Sequence, residues 1–110
     1  GGFIFNDSAT YEPYLWTYMM EEMHIKSIID VGCGMGISTD YFVNSGNIEK
    51  ALCFEGSSEA IRNQNWSPNL KDKTKQIDYT SDNQVALSEN FDAVWSAEFI
   101  EVSYEICTIY

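Results

Sequence analysis

Three glycines, Gly32, Gly34 and Gly36, occupy alternate positions in SIIDVGCGMGIST, just behind Asp30, an acid near the end of an apolar run. Lacking Cβ atoms, such a loop turns tightly, brings its backbone against a ligand and lets the following helix pack close to the preceding strand. Free N–H groups where that helix starts can hold a carboxylate or a phosphate. Two common phosphate loops are excluded by residue type. GxGxxG needs glycine where Ile37 stands, and no GK[ST] follows. Two further acidic features lie beyond other apolar runs: Glu55 after Ala51-Leu52-Cys53-Phe54, and the E-x-x-E pair Glu98 and Glu101 after Phe91-Asp92-Ala93-Val94-Trp95-Ser96. The pair could serve as a base, and equally reads as acids favoured by a helix dipole. His24, the single histidine, falls at a helix end, where the dipole or plain exposure accounts for it.

For these groups to act together, the chain must bring them to neighbouring strand ends, and its apolar pattern supplies that frame. Tyr11, Leu15, Tyr18 and Met19 recur at helical spacing from Thr10 to Met23, with Thr10 as N-cap and Pro13 in the first turn. Lys26 to Val31 reads as a buried strand, Ile37 to Asn44 as a helix stopped by Gly46, and Ala51 to Phe54 as a second strand. Ser57 caps a helix reaching about Asn65, and Trp66-Ser67-Pro68-Asn69 breaks it. Gln76 to Tyr79 predicts a third strand, Thr80 to Asn90 a loop, Phe91 to Ser96 a fourth strand and Phe99 to Tyr110 a mixed apolar segment. This alternation predicts an α/β fold with a mainly parallel sheet covered by helices. At about thirty residues per βαβ unit, the length allows about four strands, an incomplete sheet.

The stretch IIDVGCGMG resembles motif I of the class I S-adenosylmethionine-dependent methyltransferases. ALCFEGSSEAIR matches the family pattern at the second strand, and FDAVWSAEFIEV resembles its motif IV region; together the likeness covers nearly all of residues 10 to 105. It implies a Rossmann-like three-layer sandwich and S-adenosyl-L-methionine as cofactor. It further implies Asp30 near the methionine amino group, the loop Gly32, Cys33, Gly34 and Gly36 under the cofactor, and Glu55 with Gly56 at the ribose. Asp78 would read the adenine amino group, with Asp82 as its competitor. Some relatives carry E-x-x-E-H and bind a divalent metal there; Val102 stands where that histidine would be, so no metal is expected. The implied activity is methyl transfer to a small-molecule acceptor, with Glu98 and Glu101 as weak candidates for a catalytic base. The alternatives are a non-catalytic S-adenosylmethionine-binding module and a nicotinamide-dependent oxidoreductase, the second disfavoured by Ile37.

Composition narrows the setting. The 110 residues suit one domain, with a leading helix over 10–26 and core strands and helices over 27–97. Ending on the apolar CTIY, they read as a fragment whose uncovered sheet edge is prone to self-association. The residues are 45% apolar and 21% charged, as in folded globular proteins. A formal charge of −11 repels nucleic acid and anionic membranes. No apolar run reaches the length of a membrane span. Cys33, Cys53 and Cys107 are odd in number and widely spaced, which predicts neither a disulfide framework nor a metal site and points to a reducing cytoplasm.

Overall fold

The computed structural model of the chain describes residues 11–78 and 90–96, in which the apolar runs become one parallel sheet. Its elements in chain order are α1 (Pro13–Glu21), β1 (Ser27–Val31), α2 (Ile37–Asn44), β2 (Lys50–Glu55), α3 (Ser58–Arg62), β3 (Thr74–Gln76) and β4 (Ala93–Trp95). Two short 3-10 turns, Asn63–Trp66 and Pro68–Leu70, join α3 to β3. The strand order is β3-β2-β1-β4. Every residue of β1 is buried, as its unbroken SIIDV run requires of a central parallel strand.

Parallel pairing fixes which residues share an edge. Asp30 lies opposite Cys53 on one side and Trp95 on the other, while Cys53 and Glu55 lie opposite Thr74 and Gln76. The carboxyl ends of β1, β2 and β3 therefore open onto the same edge, the end where ligands bind in open α/β sheets. β4 is latched at its start: Lys26 N and Ser27 N donate to Asp92 Oδ2 at 2.7 and 3.2 Å, and Asp92 N donates to Ser27 Oγ at 2.8 Å.

Ile28 and Ala51 pack with Trp16, Met19 and Met20 of α1 and Phe42 of α2; Ile29, Val31 and Phe54 form the second cluster. The buried stripe of α1 differs from the expected one. Tyr11, Leu15 and Tyr18 are exposed, and Trp16, Met19 and Met20 face the sheet. The helix is apolar on both sides, so periodicity does not choose between them. Trp16 does, packing completely buried against Tyr41, Phe42 and Trp95 at centroid distances of 5.1, 5.8 and 5.9 Å. Pro13 occupies the first helical turn, after Glu12 as N-cap; Thr10 lies outside the described residues.

α2 matches its expected span, with Gly46 following Ser45 at φ 79° in open space. Ser57 caps α3, its Oγ accepting from Ala60 N at 3.1 Å, but the α-helix ends at Arg62 and continues as 3-10 turns. β3 starts at Thr74, ahead of the expected Gln76. Tyr79, most of the expected loop and the segment Phe99 to Tyr110 lie outside the described residues.

The cysteine reading requires correction. Cys33 and Cys53 form a disulfide with Cα atoms 5.6 Å apart, although 20 positions separate them in sequence. Spacing alone does not reveal the pair, because parallel strands bring together residues on either side of an intervening helix. Here Gly32 N and Cys33 N both donate to Phe54 O, at 2.8 and 3.2 Å, which sets the loop after β1 against the end of β2. Cys107 lies outside the described residues. Among the described residues, no helix is long and apolar enough to cross a membrane.

Candidate functional site

The glycine loop leaves β1 and enters α2 through Gly36, the N-cap of that helix, at φ 82° and ψ 22°. A side chain here would be strained by the backbone, and its Cβ would stand 2.5 Å from Leu70 Cδ1. Glycine is required on both counts. Gly36 N donates to Cys33 O and Gly36 O accepts from Asp40 N, both at 2.8 Å, so the turn passes directly into helix. Gly36, having no side chain, makes no cap bond of its own to the first turn of α2, which starts at the strand-end edge.

Glu55 grips this loop from β2. Its Oε1 accepts from Gly34 N at 2.7 Å and its Oε2 from Ser57 N at 2.8 Å. One carboxylate thus ties the middle of the glycine loop to the start of α3. Each carboxylate oxygen has two lone pairs, so both retain capacity to accept from ligand hydroxyls. Asp30, only 2% exposed, has its Oδ2 accepting from the hydroxyls of Ser38 and Thr39, the latter at 2.8 Å. It holds the first turn of α2 against β1.

Asp78 follows β3, exposed, and the preceding Ile77 N donates to Glu55 O at 3.0 Å. Gly56 O accepts from Gln76 Nε2 at 3.3 Å. The structure therefore gathers Asp30, Gly32, Cys33, Gly34, Gly36, Glu55, Gly56 and Asp78 along three adjacent strand ends. Asp82, Glu98, Glu101 and Val102 lie outside the described residues, as does Phe99. His24 is exposed at φ 58° beyond α1, away from this edge. Among the described residues, no group of three His, Cys, Asp or Glu side chains could hold a metal ion.

Sequence reasoning missed the support beneath the loop. Gln64 Nε2 donates to Gly34 O at 2.7 Å, and Trp66 Nε1 donates to Met35 O at 2.9 Å. Asp40 Oδ1 accepts from Ser67 Oγ and from Asn69 Nδ2, the latter at 3.1 Å, tying α2 to the turns that carry Gln64 and Trp66. The stretch Trp66-Ser67-Pro68-Asn69 reads as a helix breaker; the α-helix ends earlier, at Arg62, and the 3-10 turns that follow also provide the brace. One signal was available: Gln64 lies four residues after Ala60, a polar residue on the apolar stripe of the helix expected from Ser57 to about Asn65.

No protein-family model matches the sequence, and no curated protein sequence does. Solved structures do match. The plantazolicin methyltransferase BpumL in complex with SAH is 21% identical, with TM-score 0.56, over 74% of this chain and 30% of its own. A S-adenosylmethionine-dependent methyltransferase from Clostridium acetobutylicum is 15% identical, with TM-score 0.60, over 84% of this chain and 37% of its own. The glycopeptide N-methyltransferase MtfA, complexed with sinefungin, is 16% identical, with TM-score 0.56, over 86% of this chain and 40% of its own. The chain thus spans well under half the length of each of these three proteins. Identities this low carry the architecture and not the substrate, and in architecture the chain has the class I methyltransferase fold, of which the described residues form an open four-stranded parallel sheet with its helices.

Proposed function

We propose that the chain is the cofactor-binding part of a S-adenosylmethionine-dependent methyltransferase acting on a small-molecule acceptor. The observation that carries this reading is Glu55, which stands at the end of β2 while bonded to the glycine loop at Gly34 N. Loop and acid form one unit facing the strand-end edge, and their chemistry suits a nucleoside bearing an amino-acid tail. The loop Gly32, Cys33, Gly34 and Gly36 lies under that tail, and the start of α2 faces its carboxylate. Asp30 lies near its amino group, Glu55 and Gly56 take the ribose hydroxyls, and Asp78 takes the adenine amino group. When bound, the cofactor supplies a methyl group activated on a sulfonium. The chain's own residues bind, orient and exclude water, which such a transfer needs more than it needs acid catalysis. Glu98 and Glu101 are the candidates for a base if the acceptor carries a proton to be removed.

Calorimetric titration with S-adenosylhomocysteine, beside NAD and beside Glu55→Ala, tests this reading. Saturable binding of S-adenosylhomocysteine alone, weakened about tenfold or more in the variant, is expected, because hydrogen bonds to a charged group contribute about 1.5–3 kcal/mol. NAD binding in its place would favour an oxidoreductase, and absence of both from the folded chain would sink the proposal. Methyl transfer by the full-length protein separates an enzyme from a binding module. The proposed cytoplasmic setting is tested by alkylating thiols at cell lysis. Free thiols at Cys33 and Cys53 agree with it, and an intact disulfide argues for an oxidising compartment.

A further inference from the structure

Gln64 is 6% exposed, and a buried amide is costly unless both its ends are bonded. Here they are. Nε2 donates to Gly34 O at 2.7 Å and faces Cys53 Sγ at 3.6 Å, while Oε1 accepts from Thr74 Oγ1 at 2.7 Å. One side chain thus joins the glycine loop after β1, the disulfide sulfur on β2 and the first residue of β3. Gly34 is held from both sides, its N–H by Glu55 and its C=O by Gln64. Those two groups belong to the two peptide planes flanking Gly34, so neither plane turns without breaking a bond.

We propose that Gln64 is a positioning residue: it fixes the peptide orientation of the glycine loop and so keeps Glu55 and the start of α2 arranged for one ligand. The ligand's identity rests on the cofactor reading above. The role needs a donor and an acceptor at the tip of a side chain of this length. Leucine offers neither group. An ionised glutamate offers only acceptors and repels Gly34 O, whereas a protonated glutamic acid again donates to it.

The test uses the chain with Gln64→Glu and with Gln64→Leu, titrated with S-adenosylhomocysteine from pH 5 to pH 8, each compared with wild type at the same pH. A buried carboxyl facing a carbonyl oxygen takes up its proton above the usual carboxylate range, and the affinity it supports is lost as pH rises through that raised value. The nearby carboxylate sharing Gly34 is Glu55, present in every variant, and the sulfur facing residue 64 is disulfide-bonded and does not titrate. Gln64→Glu should bind about tenfold more weakly than wild type at pH 8 and approach it at pH 5; Gln64→Leu should be weak throughout. Wild-type affinity in both variants, or a Gln64→Glu deficit that ignores pH, overturns the proposal. Should Gln64→Leu fail to fold, the pH series on Gln64→Glu decides alone, since it compares one protein with itself. Amide hydrogen exchange provides a readout independent of the cofactor: at pH 8 residues 32–36 should exchange faster in Gln64→Glu, with β1 unchanged. If wild type does not bind S-adenosylhomocysteine, that result keeps the positioning role and removes only the cofactor reading. Unchanged loop exchange removes the positioning role.

Discussion

Gly36→Ala isolates the closest approach in the site. The backbone there has φ 82°, so a Cβ costs about 1–2 kcal/mol by chirality alone. The added methyl would also stand 2.5 and 2.9 Å from Leu70 Cδ1 and Cδ2. Leu70 is 2% exposed and hemmed in, so overpacking adds about 1–3 kcal/mol. The sum, about 2–5 kcal/mol, is a large part of the roughly 5–15 kcal/mol that holds a domain of this size. At roughly 4–8 °C per kcal/mol, it lowers the melting temperature by about 10 °C or more. Gly46→Ala is the control: it shares the backbone strain at φ 79° but meets no atom within 4 Å, so it should show only the smaller loss. Thermal melts and urea titrations on both variants, together with Leu70→Ala and the Gly36→Ala/Leu70→Ala double variant, complete the cycle. Leu70→Ala alone costs about 2–5 kcal/mol, and the double variant should cost less than the two losses added, because the methyl at position 36 enters the cavity. Equal losses for Gly36→Ala and Gly46→Ala, or strict additivity in the double variant, would refute the claim that the loop is seated against Leu70.

Other predictions concern the frame around the loop. Reducing the Cys33–Cys53 disulfide, whose cysteines are 20 positions apart, removes about 3 kcal/mol on the chain-entropy model, read as a lower urea midpoint with a phosphine reductant present; coincident midpoints would show that the pair does not constrain the unfolded chain. Asp92→Ala takes the acceptor from Lys26 N and Ser27 N and should cost about 1–2 kcal/mol, while Asp92→Asn, which keeps an oxygen there, should cost less. Hydrogen exchange at residues 93–95 reports both variants, and protection surviving in Asp92→Ala would show that the β1–β4 ladder holds without its latch.

The readable parts of the molecule are those set by short stretches of chain. IIDVG announces a buried strand and a turn, Ile37 to Asn44 a helix, Gly46 its stop and Ser57 the next start, because each follows from a few consecutive side chains and the dihedrals they allow. Asp30 and Glu55 are legible as strand-end acids for the same reason. The brace was not legible. Gln64 meets Gly34, Cys33 meets Cys53, and Asp40 meets Ser67 and Asn69 only after β1 and β2 have paired. The buried face of α1 was undecided for a different reason: with Tyr, Leu, Trp and Met around the whole helix, only the fit of one large ring selects a side. Asp30 illustrates a third case, in which position was foreseen but not surroundings, because the hydroxyls of Ser38 and Thr39 come from the following helix.

The latch at Asp92 bears on the order in which the sheet assembles. It joins residues 65 positions apart, whereas the β1–α2–β2 unit closes over a much shorter stretch, bridged by a disulfide across 20 positions. Loop closure costs more entropy as the stretch lengthens, so the nearer pairing nucleates and the farther strand docks late. By the same account β4 is the first strand to leave under stress. Its departure bares the backbone edge that β1 turns towards β4, around Ile29, the middle of the sheet turned into a raw border that a second chain can pair with. Aggregation under mild denaturation would then begin at β1, and Asp92, just ahead of β4, would act as its gatekeeper.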